Sequence, residues 1–327
     1  MDDPALLPWM LRSDWRADRR PLVTVDLAQW PADEAIDPLP PVPVIAIGSA
    51  DHPQAGGADV VIEPPIPLAA IVAGIAAAPR AASALVELLR SIEELAPAAA
   101  LTLESFAFAM AQGSAEHAGW LARRPPPRAA APGRLLIERK GATLALTIDR
   151  AAARNMIDRA MRDALHDAFT IAALDPAIER VTLRGSGRCF SMGADLAEFG
   201  TTRDPAEAHA IRARTLPARA MLPSTAICHV HVQGGCVGAG LELAAFAGRI
   251  SATRNAWFQL PELEMGILPG AGGCVSVPAR IGRQRAAALM LSGKRIGADV
   301  ALRWGLIDAI VDDLPADDRG AHEIGGE

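Results

Sequence analysis

The stretch GGCVGAGLELAAFAG, residues 234–248, decides the reading of this chain. Glycine occupies positions 234, 235, 238 and 240, and an apolar run of helix formers follows. The preceding residues, STAICHVHVQ, read as a strand. The chain therefore passes from strand through glycines into helix. Glycine lets the backbone come close to a ligand. A helix start leaves N–H groups free and carries partial positive charge. Together these suit a place that holds a developing oxyanion. One carboxylate, Glu242, stands between Leu241 and Leu243, with Ala244, Ala245 and Phe246 after it. A surface helix would give it a polar face, and this segment has none. Burial would raise its pKa and make it a usable acid or base. A paired structural charge is the alternative.

Other chemistries built on similar pieces fail here. The dinucleotide fingerprint needs a third glycine where Leu243 stands, and no acidic residue ends a second strand at the required distance. No G-x-S-x-G elbow occurs in the chain. Cys189, Cys228, Cys236 and Cys274 lack CxxC spacing, and no His/Glu or His/Cys pattern suits zinc, so no metal is expected. Reduced, mostly buried thiols are the simpler reading. With 327 residues and a net charge of −6, the chain is large enough for a sizeable core and lacks the basic face of a nucleic-acid binder. MDDPALLPWM is not a signal peptide, and IPLAAIVAGIAAA is too short to span a bilayer. These features predict a soluble, cytoplasmic protein.

RPPPRAAAPG, residues 124–133, reads as a stiff linker. It separates an N-terminal region, 1–123, from a core, 134–327. The first has short strands in PLVTVDL, PVPVIAIG and ADVVIE, then Ala-rich helix from Pro67 to Arg123. Leu85, Leu88, Leu89, Ile92 and Leu95 recur at helical spacing and predict a packed face. After the linker, RLLIER and ATLALTID form a strand pair turning at Lys140-Gly141. Helix is predicted over 155–173 and 204–220, with strands at ERVTLRG and STAICHVHVQ. This alternation predicts an α/β fold.

Two further loops carry possible chemistry. QLPELEMGILPGAGG, residues 259–273, is braced by Pro261 and Pro269. In an extended stretch its Glu262 and Glu264 would point the same way. They are catalytic candidates or solvated loop residues. In CFSMGADLAEFG, residues 189–200, the Ala194 N–H is a candidate anion donor, and Asp195 is near a helix start, where a plain cap is the alternative reading.

These pieces, in this order, resemble the crotonase superfamily, the enoyl-CoA hydratase/isomerase family. RNMIDRAMRDAL, VTLRGSGRCFSMGADL, VHVQGGCVGAGLELAAFAGRISATRNAWFQLPELEMGILPGAGG and LSGKRIGADVALRWGLIDAIV carry the resemblance across most of 134–312. It implies a spiral of ββα units that binds an acyl-CoA thioester. It implies an oxyanion hole from the N–H groups of Ala194 and Ala239, the latter an alanine where the family favours glycine. It assigns catalysis to Glu242 and Glu262, water placement to Gly270, and no role to Glu264. Met156, Met192, Asp195 and Leu196 would line the acyl-CoA site. Arg154 would meet CoA phosphates, unless it is an ordinary surface arginine. No cofactor is implied beyond the CoA of the substrate, and trimers or dimers of trimers are expected.

The implied reaction is hydration of a 2-enoyl-CoA. A Δ3,Δ2-enoyl-CoA isomerase is the alternative within the family, along with thioester hydrolysis or decarboxylation. A non-catalytic acyl-CoA-binding subunit is the alternative outside enzymes. Gly248 stands where many members have aspartate. The family's C-terminal helices have no counterpart after Val311. Residues 60–124 resemble those helices placed ahead of the core, so a permuted-like arrangement is expected, with Trp120, Arg123 and Arg124 near the CoA.

Overall fold

The computed structural model describes residues 20–126 and 130–312. The acidic N-terminus, the third linker proline and the tail from residue 313 lie outside the described residues.

The chain opens with a parallel sheet of β1 (Val23–Asp26), β2 (Val44–Ile47) and β3 (Val60–Val61). Val23, Val25, Val44 and Ala46 pack with Leu27, Trp30 and Ile36 in a small core of their own. Four helices follow: α1 (Leu68–Ala77), α2 (Pro79–Ile92), α3 (Pro97–Gln112) and α4 (Ala115–Arg123). Proline opens α2 and α3, where its missing N–H costs nothing. Leu85, Leu88, Leu89 and Ile92 form the buried stripe of α2. Leu95, predicted to belong to that stripe, lies beyond the helix end and is exposed.

The core begins with the hairpin β4 (Arg134–Lys140) and β5 (Thr143–Asp149). Leu144, Leu146 and Ile148 alternate inward along β5. Next come α5 (Arg159–Leu174), β6 (Arg180–Gly185), α6 (Pro205–Thr215), α7 (Pro217–Met221) and β7 (Cys228–Val232). Then follow β8 (Gly235–Val237), α8 (Ala239–Ala244), β9 (Arg249–Thr253), β10 (Trp257–Gln259), α9 (Gly273–Ile281) and α10 (Arg283–Ser292). The described core ends with β11 (Ile296–Gly297), α11 (Ala298–Trp304) and β12 (Ala309–Val311).

The large sheet has the order β12-β9-β7-β6-β5-β4 and is parallel except at the β4–β5 hairpin. The small sheet has the order β11-β10-β8. Each turn of chain makes a strand in the first sheet, a short run in the second, and then a helix. β7 leads to β8 and α8; β9 leads to β10 and α9. After β6, Ser191 makes the corresponding short run and bridges to Cys236 of β8. Successive turns therefore pair in both walls. This is the predicted α/β spiral of ββα units.

Local boundaries differ from the sequence reading for identifiable reasons. α5 starts at Arg159 because Asp158 is its cap, accepting the Met161 N–H at 2.9 Å, and Arg154 and Asn155 have positive φ of 54° and 53°. The 204–220 helix breaks at Leu216, which precedes Pro217 and is extended. The 224–233 strand is shortened because Leu222–Ile227 winds as a 3-10 turn. Gly248 keeps its place because a Cβ there would lie 2.8 Å from Thr225 O.

Residues 80–124 pack on the core and are not detached from it. Glu116 of α4 accepts the N–H groups of Arg80 and Ala81, each at 3.0 Å, and so caps α2. His117 Nδ1 lies 2.8 Å from Met265 O. Buried Asp59 joins Arg90 of α2 to Arg283 of α10. No single helix among the described residues is long and apolar enough to cross a membrane.

The tightest point of this packing is between α1 and α10. A Cβ built on Gly74 would stand 1.8 Å from Leu291 O, so only glycine fits. Gly74→Ala is expected to destabilise the protein by about 2 kcal/mol or more, read as a lowered urea midpoint. A midpoint unchanged from wild type would show that the two helices are not held this closely.

Candidate active site

Asn155 is fully buried at the floor of the first active-site loop. Its amide donates to Ser186 O at 2.7 Å and Cys189 O at 2.9 Å, and its Oδ1 accepts the Arg150 N–H at 3.0 Å. These bonds fix the turn that delivers Met192, Gly193 and Ala194. The Ile157 N–H donates to Gly193 O and the Asp195 N–H to Ile157 O, both at 2.8 Å. This bridge uses the groups on either side of the Ala194 amide and leaves that amide free.

Across from it, the glycine-rich turn enters α8. Gly238 has φ +47°, and Ala239 is the first helical residue. A Cβ on Gly193 would lie 3.8 Å from the Ala239 nitrogen, so the two turns nearly touch. Neither the Ala194 nor the Ala239 N–H donates to a protein acceptor among the described residues. Both residues line one cavity of about 420 Å³.

Glu242, one turn into α8, is 2% exposed. Its Oε2 accepts the N–H groups of Ala271 at 2.7 Å and Gly273 at 2.8 Å. Burial pushes its pKa up to about 7, against the opposing pull of those two amides. Glu262 reaches the same cavity from a 3-10 turn, Glu262–Met265. That turn corrects the expected extended stretch: Glu262 is buried while Glu264 is exposed, although Glu264 still borders the cavity. Oε2 of Glu262 is buried with no partner. Burial, and then the charges of Glu242 and Glu104, raise its pKa well above the usual carboxylate range.

The cavity also takes in Arg154, Met156, Met192, Leu196 and Gly270. Asp195 instead borders an adjoining chamber of about 200 Å³, and its carboxylate is engaged by Arg150 at 2.7 Å and by the Ala197 N–H at 2.9 Å. Trp120 lines the main cavity, and Arg124 stacks on it at 5.5 Å while donating to Leu196 O and Phe199 O. Arg123 lines neither chamber.

Sequence reasoning missed the contribution of α3. Glu104 and Phe108, one turn apart, both reach the site. Glu104 is 1% exposed and accepts the N–H groups of Gly272 at 2.7 Å and Cys274 at 2.8 Å. Four successive amides, 271 to 274, are thus shared alternately between Glu242 and Glu104. Burial and the Glu242 charge raise the pKa of Glu104. Phe108 lies against Gly270, where a Cβ would meet its ring at 2.1 Å. The available signal was the one that singled out Glu242: in ALTLESFAFAM, too, a lone carboxylate sits in an apolar helix.

The comparisons with known proteins agree with this architecture. Residues 138–318 match the family model described as enoyl-CoA hydratase/isomerase. The chain is 34% identical over 176 residues to the 2,3-dehydroadipyl-CoA hydratase of Escherichia coli, covering 54% of this chain and 68% of that protein. It is 33% identical to the cyclohexa-1,5-dienecarbonyl-CoA hydratase of Thauera aromatica, covering 58% and 71% respectively. Among solved structures, one described as a putative enoyl-CoA hydratase/isomerase from Mycobacterium abscessus aligns with a TM-score of 0.51 and 32% identity, over 56% of this chain and 73% of that one. The chain belongs to the enoyl-CoA hydratase/isomerase family.

Proposed function

We propose that the protein hydrates a 2-enoyl-CoA thioester. One observation carries this reading: two buried glutamates and two unengaged amides line a single cavity. The thioester oxygen is held by the N–H groups of Ala194 and Ala239. As water adds, negative charge moves onto that oxygen, where fixed donors act without reorganising. One such donor contributes about 3 kcal/mol.

The two carboxyls divide the proton work by their surroundings. Glu242 has two amides on one oxygen, which favour its ionised form, and it titrates near neutrality. It accepts the proton of the water as oxygen bonds to C3. Glu262 lines the cavity, its buried Oε2 has no partner, and burial with the Glu242 charge favours its protonated form. It gives its proton to C2, and relay of a proton from Glu242 restores the starting state. Gly270 helps place the water by its backbone. Met156, Met192 and Leu196 line the bound acyl-CoA, and Arg154 meets its phosphates. The reaction needs no cofactor beyond the CoA carried by the substrate.

Glu242→Gln and Glu262→Gln are each expected to lower kcat by about 10²–10⁴-fold, read as slower loss of crotonyl-CoA absorbance. Loss from only one of them would favour the isomerase reading. No turnover by the wild type would point to a binding subunit.

The base must be ionised and the acid protonated. Activity should therefore rise with pH through about 7 as Glu242 ionises, then fall at higher pH as Glu262 loses its proton. A kcat/KM profile flat across neutrality would remove this assignment.

Glu104 is a positioning residue. Its ionised form raises the pKa of Glu262, so Glu104→Gln should move the alkaline limb to lower pH. Glu104→Ala should also lower stability by about 2 kcal/mol, because two buried amides lose their acceptor. An unmoved alkaline limb in a folded Glu104→Gln protein would confine Glu104 to a structural role.

A further inference from the structure

We infer that the acyl group accepted by this site ends in a carboxylate, bound by Arg212 where the two chambers meet. The inference deepens the acyl-CoA reading and rests on it. Arg212, on α6, lines both the main cavity and the adjoining chamber. Its guanidinium lies over the Phe108 ring at 4.4 Å. Nε donates to Ser105 Oγ at 3.1 Å and Nη2 to Ser105 O at 3.3 Å. Among the described residues, Nη1 has no acceptor and no carboxylate comes within 4.0 Å of the group. Burial draws its pKa down to about 10, with the Glu104 charge pulling the other way.

The other charges of the chamber are already matched. Arg159 lies 3.9 Å from Glu198, and Arg162 lies 2.7 Å from Asp163. Asp158 and Asp195 share Arg150. The negative group acting on Arg212 is Glu104. Both oxygens of Glu104 are taken by backbone amides, and neither forms an ion pair with the guanidinium. Gln112, also bordering the chamber, has a buried Oε1 without a partner. Turning its amide over would present N–H donors there, for the loss of one 3.5 Å contact to Thr202 O.

The remaining wall is apolar, including Leu165, Leu216 and Leu243. An acyl chain running past Ala194 and Ala239 into this chamber therefore meets apolar side chains and a cation at its entrance. A methyl-ended chain would cover Nη1 without giving it an acceptor, which is unfavourable. A carboxylate would form charge-assisted hydrogen bonds to the planar fork.

The test compares trans-2-hexenoyl-CoA and trans-2-octenoyl-CoA with their ω-carboxylated counterparts of the same chain length. Wild type is expected to favour a carboxylated substrate by about tenfold or more in kcat/KM. In Arg212→Leu that ratio should fall to about one, and Arg212→Lys should keep part of it. Equal kcat/KM for both substrate types in the wild type overturns the inference and leaves the hydratase reading standing. So does a ratio unchanged in Arg212→Leu, because the side chain would then serve the CoA moiety or the fold. If the leucine variant does not fold, the wild-type ratio and the lysine variant decide. Failure of the wild type to turn over any of these thioesters would instead remove the hydratase reading.

Discussion

The site depends on the sharing of four consecutive backbone amides between two buried carboxylates. Residues 271 to 274 enter α9 with their N–H groups exposed in sequence, and Glu242 and Glu104 take them alternately. An isolated carboxylate in an apolar interior is costly. Two of them side by side would be worse without donors. The start of α9 supplies those donors and fixes both side chains at once. Because Glu104 comes from α3 and Glu242 from α8, the same four groups tie the N-terminal helices to the core. The site is thus not a property of the family-matching segment alone.

The spiral explains how the other half of the site is made. Each turn carries chain from the large sheet to the small one and then toward a helix. Two neighbouring turns do so at Ser191–Ala194 and at β8–α8, and pairing between Ser191 and Cys236 sets them side by side. The amides of Ala194 and Ala239 are therefore neighbours because two strand registers are neighbours. Glycine is needed where they approach: a Cβ on Gly193 would sit 3.2 Å from Val237 O, and one on Gly238 would sit 2.6 Å from Glu262 Oε1. The third turn brings Glu262 round to the same cavity. Oε2 of this third buried carboxyl has no partner, and on the proposed reading Glu262 is the group that protonates substrate.

Much of this was legible in the sequence for a local reason. The strand-glycine-helix passage and the lone charge of LELAAF are contiguous, so neighbouring residues alone pointed to Glu242 and to an anion-holding turn. Ala194 and Glu262 were local candidates as well; the family resemblance supplied Ala239 and the choice of Glu262 over Glu264. What stayed hidden depends on tertiary contact. Glu104 lies 168 positions from Gly272, whose amide it accepts. Arg212 sits in a helix with charge on several sides, PAEAHAIRART, where one arginine looks like the rest until the fold leaves it half-buried and Arg214 exposed. The pair Glu262 and Glu264 was misread in geometry, because Gly266 closes a 3-10 turn with φ +69° and turns one side chain in and the other out.

The division of labour between the two proposed catalytic glutamates follows from the count of amides each receives. Both are buried, and burial alone would raise both pKa values without choosing between them. Glu242 takes two N–H groups on one oxygen, which lower its pKa and leave it near 7. The amide of Glu262 itself pulls the same way, but the charges of Glu242 and Glu104 act against it and keep its pKa well above the usual range. The N-terminal region thus adds Glu104 to the electrostatics of a cavity whose main walls come from elsewhere. Two chemically identical groups are driven apart in acidity by backbone placement and by a carboxyl that neither family motif contains. The acid and base roles then need no difference in residue type, only the difference in what surrounds each side chain.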